Sequence, residues 1–231
     1  MQSESRVDLC HRRKACCDAW PFEERLMTVA VIDYGIGNLH SAQKALRTLG
    51  ADAVLTDSAD VITSAAGVVL PGVGNFGACM NALRERDLDG VVHAVVDSGR
   101  PFLGICVGMQ MLFDSSEEAP GVDGLGVVGG TIRYLPAEVR RPQMQWNELI
   151  VGTPDPVLSR DGDPQWMYFV HSLSAHPENA SDVAATVHYG GPVTAACRHD
   201  NVLAVQFHPE KSGRAGLAML NRWLSHEGIT R

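Results

Sequence analysis

Three residues have the types and surroundings for nucleophilic chemistry. Cys106 lies in Pro101-Phe102-Leu103-Gly104-Ile105-Cys106-Val107-Gly108-Met109-Gln110, where an apolar run enters Gly-x-Cys-x-Gly and a helical pattern of Met109, Met111, Leu112 and Phe113 follows. Strand, Gly-x-Cys-x-Gly, helix is a nucleophile elbow with Cys in place of Ser. So sharp a turn strains the backbone at its tip, and small neighbours let the chain pass. A helix starting there aims free N–H groups at the sulfur, which favours negative charge on it and can cradle an oxyanion. A free cysteine is otherwise a small buried hydrophobe; the strand-then-helix setting argues for chemistry. A nucleophile needs a base and an orienter. Val202-Leu203-Ala204-Val205-Gln206-Phe207-His208-Pro209-Glu210 supplies His208 at a strand end and Glu210 two residues on. Alternate residues of extended chain face one side, so the carboxylate reaches the imidazole, and Pro209 stiffens the link. The order Cys, His, Glu differs from that of the α/β-hydrolases, where the acid precedes the histidine.

A second segment, Pro71-Gly72-Val73-Gly74-Asn75-Phe76, follows an apolar run. Glycine-flanked loops at the carboxyl edge of a parallel sheet are where open α/β folds bind ligands. Its backbone N–H groups and that of Val107 are candidate oxyanion donors, and Gly72 lets its peptide with Val73 take two orientations. An ordinary tight turn has the same glycines. It is not a phosphate loop, since no Gly-Lys-Ser/Thr follows.

The elements that position these residues read as a parallel α/β sheet. Val29–Asp33, Ala53–Thr56, Gly67–Leu70 and Pro101–Ile105 are short apolar runs without alternation. Helical stripes separate them: Asn38 capping a helix to about Leu49, then Phe76 to Leu88 and Gly90 to Ser98. Such strands belong to a sheet covered on both faces. From Gly126 on, β-type runs separated by turns (Val127–Arg133, Trp166–Ser172, Val183–Tyr189, Val193–Arg198, Val202–Phe207) suggest mixed or antiparallel strands added to the same sheet, and a helix from Gly213 to Ser225 closes the chain. The expected architecture is one α/β domain with a mostly parallel central sheet, flanking helices and added antiparallel strands.

Composition narrows the function. A net charge of −8 argues against a nucleic-acid binder. The uncharged apolar stretch Pro101 to Phe113 is too short to span a bilayer. The six cysteines are too sparse for a stapled secreted scaffold, which points to reduced thiols and a cytoplasmic protein. Residues 1–26 mix five basic and five acidic residues with no apolar periodicity, and read as an extension ahead of a domain at 27–231. Cys10, His11, Cys16 and Cys17 fit no standard zinc spacing, and His93, His188 and His199 make no ligand set. No metal or cofactor is expected.

Taken together, Ile32-Asp33-Tyr34-Gly35-Ile36-Gly37-Asn38-Leu39, Leu70-Pro71-Gly72-Val73-Gly74-Asn75-Phe76, Gly104 to Gln110, Tyr168-Phe169-Val170-His171-Ser172 and Gln206-Phe207-His208-Pro209-Glu210-Lys211-Ser212 resemble the class I (triad) glutamine amidotransferase family, with its flavodoxin-like architecture. Within it they resemble the glutaminases that pass ammonia to a (β/α)8-barrel cyclase subunit of histidine biosynthesis. The resemblance implies that Cys106, His208 and Glu210 hydrolyse glutamine through a γ-glutamyl thioester, with Val73 and Val107 as oxyanion donors. It also implies that Gln110 and the backbone of His171, Ser172 and Leu173 hold the glutamine, and that Met144, Trp146, Asn147 and Lys211 meet the cyclase. Trp146 in a polar loop reads equally as a cap on the core. Two departures stand out: Gln145 where the family has Gly, and Leu173 where it often has an aromatic. The competing readings are the glutaminase subunit of pyridoxal phosphate synthase, whose oxyanion segment usually reads Pro-Gly-Gly-Glu, and a stand-alone Cys hydrolase of similar fold.

Overall fold

The computed structural model describes residues 28–159 and 164–230. The expected extension at 1–26, with Cys10, His11, Cys16 and Cys17, lies outside the described residues.

An eight-stranded sheet carries the fold, in the order β2-β1-β3-β4-β13-β12-β11-β8. Its parallel part comprises β1 (Thr28–Ile32), β2 (Asp52–Thr56), β3 (Gly67–Gly72), β4 (Phe102–Cys106) and β13 (Val202–Val205). Every residue of β1, β3, β4 and β13 is buried, which is why none of them alternates. The antiparallel part is β12 (Pro192–His199), β11 (Val183–His188) and the two-residue β8 (Ile150–Val151).

Helices lie between the strands: α1 (Leu39–Thr48), α2 (Ala59–Ser64), α3 (Phe76–Arg84), α4 (Asp89–Asp97), α5 (Val107–Met111) and α6 (Gly213–His226). On α6, Gly216, Met219, Leu220, Trp223 and Leu224 fall on one buried stripe. The stretch expected as one helix to Leu88 stops at Arg84, because Asp87 takes a positive φ of 54° and Leu88 N–H closes onto Leu83. Asn75 caps α3 through Ala78 N–H, whereas Asn38 makes no cap bond to α1.

Two expected strands lie outside the main sheet. β6 (Gly130–Tyr134) pairs with β10 (Leu173–Pro177) and β5 (Ser115–Ser116) in a three-stranded sheet. β9 (Trp166–His171) pairs with β7 (Gln143–Glu148) in a two-stranded ribbon. Trp146 is therefore on a strand, opposite Tyr168, and not in a loop. The ribbon ends at His171, opposite Gln143, and so delivers the next residues to the site.

Candidate active site

β4 ends in a strained turn at Cys106, with φ 55° and ψ −113°, and α5 starts at the next residue. A side chain rarely adopts a positive φ, and the neighbours show what holds it there. A Cβ on Gly108 would run into the carbonyl of Leu70 on β3, and a Cβ on Gly72 would sit 2.5 Å from Gly108 N. The elbow thus presses directly onto β3, and the register sets Gly72 opposite Cys106.

β13 runs parallel to β4 with Val205 opposite Ile105, so the chain beyond it passes beside the sulfur. His208 is fixed on both sides: its N–H donates to Tyr168 O at 3.0 Å, and Ser212 Oγ–H donates to its carbonyl at 2.6 Å. Its Nδ1–H donates to Glu210 Oε1 at 2.8 Å, and Asn38 Nδ2 donates to the same oxygen at 3.2 Å. His208 Nε2 is buried and without a hydrogen-bond partner among the described residues. Burial works against an imidazolium, but the Cys106 sulfur and the Glu210 carboxylate outweigh it and raise the His208 pKa to about 9. His208 thus joins the other two groups foreseen from sequence, bonded to Glu210 and acted on by the Cys106 sulfur.

A cleft of about 580 Å³ opens onto Cys106 and His208, lined also by Asn38, Val73, Gln110, Glu118, His171, Ser172, Leu173 and Lys211. The loop after β3 is tied on either side of the Gly72–Val73 peptide: Tyr34 O–H donates to Pro71 O at 2.7 Å, and Cys79 S–H to Val73 O at 3.4 Å. Burial pushes the Tyr34 hydroxyl and the Cys79 thiol up, so both remain proton donors. Leu173 faces Tyr134 in the β10–β6 ladder, and Leu135 N–H reaches back to Ser172 O. In an antiparallel ladder that pattern turns the N–H and C=O of Leu173 away from β6. Its carbonyl accepts His171 Nδ1–H at 2.7 Å, and its N–H is left for the cleft. Burial drives the His171 pKa down to about 4, so the ring is neutral and Nε2 is an acceptor. Gln143 lies 3.0 Å from that nitrogen, and its amide must present N–H there.

Sequence reasoning missed four residues of the site, two that line the cleft and two that pair with residues lining it. Glu118, twelve positions past Cys106 in an irregular segment, accepts Phe76 N–H at 2.6 Å and has its other oxygen available to the cleft. Asn38, expected as a helix cap, instead orients Glu210. Gln143, at the start of β7, and Gln206, just past the end of β13, are buried polar residues with no periodic signal. The expected partner-facing residues divide. Met144 and Trp146 are exposed on the outer face of the β7–β9 ribbon beside Trp166. Asn147 Nδ2 donates to His188 O within the fold. Lys211 lies on the cleft wall. Among the described residues no cluster of His, Cys, Asp or Glu could hold a metal ion.

The fold and this cleft are those of a glutamine-hydrolysing class of enzymes. The chain belongs to the class I glutamine amidotransferase family, whose model matches residues 30–226. Within the family it sits among the HisH subunits of imidazole glycerol phosphate synthase. It is 44% identical to that subunit from Salinibacter ruber over 84% of this chain and 92% of the relative. It is 47% identical to the one from Trichodesmium erythraeum over 87% of this chain and 95% of the relative. Two solved structures share the fold: a glutamine amidotransferase with a TM-score of 0.69 at 21% identity over 87% of this chain and 98% of its own, and PurLQS from Thermotoga maritima with 0.70 at 18% over 86% and 98%. Among the described residues no helix is long and apolar enough to cross a membrane.

Proposed function

We propose that this chain is the glutaminase subunit of a cytoplasmic imidazole glycerol phosphate synthase, using Cys106 as nucleophile, His208 as proton shuttle and Glu210 as orienter. The observation that carries the reading is His208 itself. Nδ1 is tied to Glu210, and Nε2 is unpartnered on the side of the sulfur at the end of a cleft. An imidazolium held to about pH 9 next to a sulfur nucleophile is poised to act first as an acid.

The steps follow from that protonation state. The thiolate attacks the glutamine carboxamide carbon, and the oxyanion is met by the N–H groups of Val73 and Val107, with Gly72 supplying the turn. His208 gives its Nε2 proton to the departing ammonia, leaving a γ-glutamyl thioester and a neutral ring. The ring then takes a proton from water, hydroxide attacks, and the carbon–sulfur bond breaks to give glutamate and thiolate. Glu118 suits the substrate ammonium. The Leu173 N–H suits its carboxylate, and Gln110, His171 and Ser172 complete that wall. Leu173 replaces an aromatic without loss, since the segment contributes backbone.

The ammonia acceptor is a (β/α)8-barrel cyclase subunit; that the relatives are named as subunits of imidazole glycerol phosphate synthase supports a partner, and so do the exposed Met144, Trp146 and Trp166. Lys211 joins this face at the cleft mouth. Mixing the chain with purified cyclase, with and without the cyclase nucleotide, tests the reading. Glutamine hydrolysis rises strongly with the nucleotide. Cys106→Ala abolishes glutamine-dependent synthesis and spares synthesis from ammonium salt. Loss of both overturns the assignment of Cys106.

A further inference from the structure

β13 leads two side chains to the sulfur. Val205 pairs with Ile105 at the end of the ladder, so the next residue, Gln206, comes level with Cys106, and His208 follows two residues on. Gln206 is fully buried, and its Nε2 lies 3.7 Å from Cys106 Sγ, a normal N–H···S distance. Its Oε1 accepts from Gln110 Nε2 at 3.0 Å. An amide whose oxygen is taken in this way can present only N–H to the sulfur.

We propose that Gln206 is a further catalytic residue, whose side-chain N–H donates to the Cys106 sulfur whenever that sulfur is negatively charged, with Gln110 as the positioning residue that fixes the amide. The inference rests on Cys106 being the nucleophile. Thiolate sulfur is a good acceptor and thioester sulfur a poor one. The bond is therefore made before attack, lost in the acyl enzyme and regained as the thioester breaks. In that last step oxygen bonds to the acyl carbon, the carbon–sulfur bond opens and its electron pair goes to sulfur, where the Gln206 N–H meets it. His208 serves the proton transfers while Gln206 meets the charge on sulfur.

The titratable groups around the sulfur are common to parent and variants: His208 after β13 with Glu210 bonded to it, Tyr34 after β1 and Cys79 on α3, while His171 on β9 lines the same cleft. Across the cleft are Glu118 and Lys211. The test is alkylation of Cys106 by iodoacetamide in the full chain, followed at its own peptide by mass spectrometry, at pH 7 and pH 9.5. This readout needs neither glutamine nor cyclase. A hydrogen bond to a charged group is worth about a factor of ten in thiolate population. Gln206→Met therefore slows alkylation about tenfold at pH 7 and falls within about twofold of the parent at pH 9.5, above the ordinary range of cysteine thiols. Gln206→Glu, an acceptor facing a thiolate, is slower still at pH 7. Gln110→Met, which frees the Gln206 amide to turn, lies between parent and Gln206→Met and carries the test if the Gln206 variants do not fold. Equal rates at pH 7, or an equal slowing at both pH values, overturns the role of Gln206. Retention of glutamine hydrolysis by Cys106→Ala would instead overturn the nucleophile assignment.

Discussion

At the scale of single residues, two buried histidines a few ångströms from the same cleft titrate in opposite directions. His208 is buried, but the sulfur and Glu210 hold its proton to about pH 9. His171 is buried, with the His208 cation rather than a carboxylate acting on it, and its proton is lost at about pH 4. The chemistry needs His208 protonated when ammonia leaves, so kcat/KM for glutamine in the cyclase complex falls as pH rises through about 9. Glu210→Gln removes one of the charges holding that proton. It shifts this limb toward neutral pH and lowers the rate about tenfold or more, a milder loss than replacing His208 or Cys106. A pH–rate series on both proteins measures it. His171 makes a stability prediction of the other sign. Its folded pKa lies below the 6.5 of an exposed imidazole, so its contribution is complete above that value and drains away as pH falls through 4. Between pH 7 and pH 5 the parent loses about 2 kcal/mol on this account, and His171→Asn does not. Urea unfolding of the two at both pH values gives the difference.

At the scale of elements, the elbow joins stability to function. Cys106 sits at a positive φ that glycine accepts and alanine does not. Cys106→Gly should therefore unfold about 1 kcal/mol less easily than Cys106→Ala, after allowance for glycine's looser unfolded chain. Gly108→Ala drives a methyl into the Leu70 carbonyl and should cost more than about 3 kcal/mol. Calorimetric melts of the three variants rank them. The elbow was legible because its demand is local: an apolar run, two glycines around a cysteine and a helical stripe occur within ten residues. The triad partner was legible because Gln206 to Glu210 is equally compact. β9 was legible as the run Trp166–Ser172, but its partner β7 was not, because Gln143 alone in β7 is buried, so that strand carries no alternation and exists through pairing with β9. α2 buries only Ile62, and β10 reads Leu-Ser-Ala-His-Pro, neither with a periodic signal. Glu118 and Asn38 were missed for a related reason. What makes them functional is a partner far along the chain, Phe76 in one case and Glu210 in the other.

At the scale of the whole molecule, one face stands apart from an otherwise well-buried apolar complement. The described residues leave five large hydrophobic side chains exposed, and three of them, Met144, Trp146 and Trp166, share the outer face of the β7–β9 ribbon. That ribbon is the element whose other end brings Val170 and His171 to the cleft wall, with Gln143 bonded to His171. The Trp146 ring also packs beside Gly213, two residues past Lys211. A partner seated on the tryptophans thus touches both ends of the site: the strand that presents Leu173 and the turn that follows Glu210. Tryptophans at such a face are the usual anchors of an interface. Trp146→Ala and Trp166→Ala should each weaken cyclase binding about tenfold or more in titration calorimetry, while the free chain melts within a few degrees of the parent, since both rings are about half exposed. Stimulation of glutamine hydrolysis at saturating cyclase then distinguishes grip from signal. If the tryptophans only hold the partner, full stimulation returns once binding is saturated. If the ribbon also conveys the partner's state to the cleft, stimulation stays depressed in Trp146→Ala, whose ring packs edge-on against Tyr168, the residue that accepts the His208 N–H.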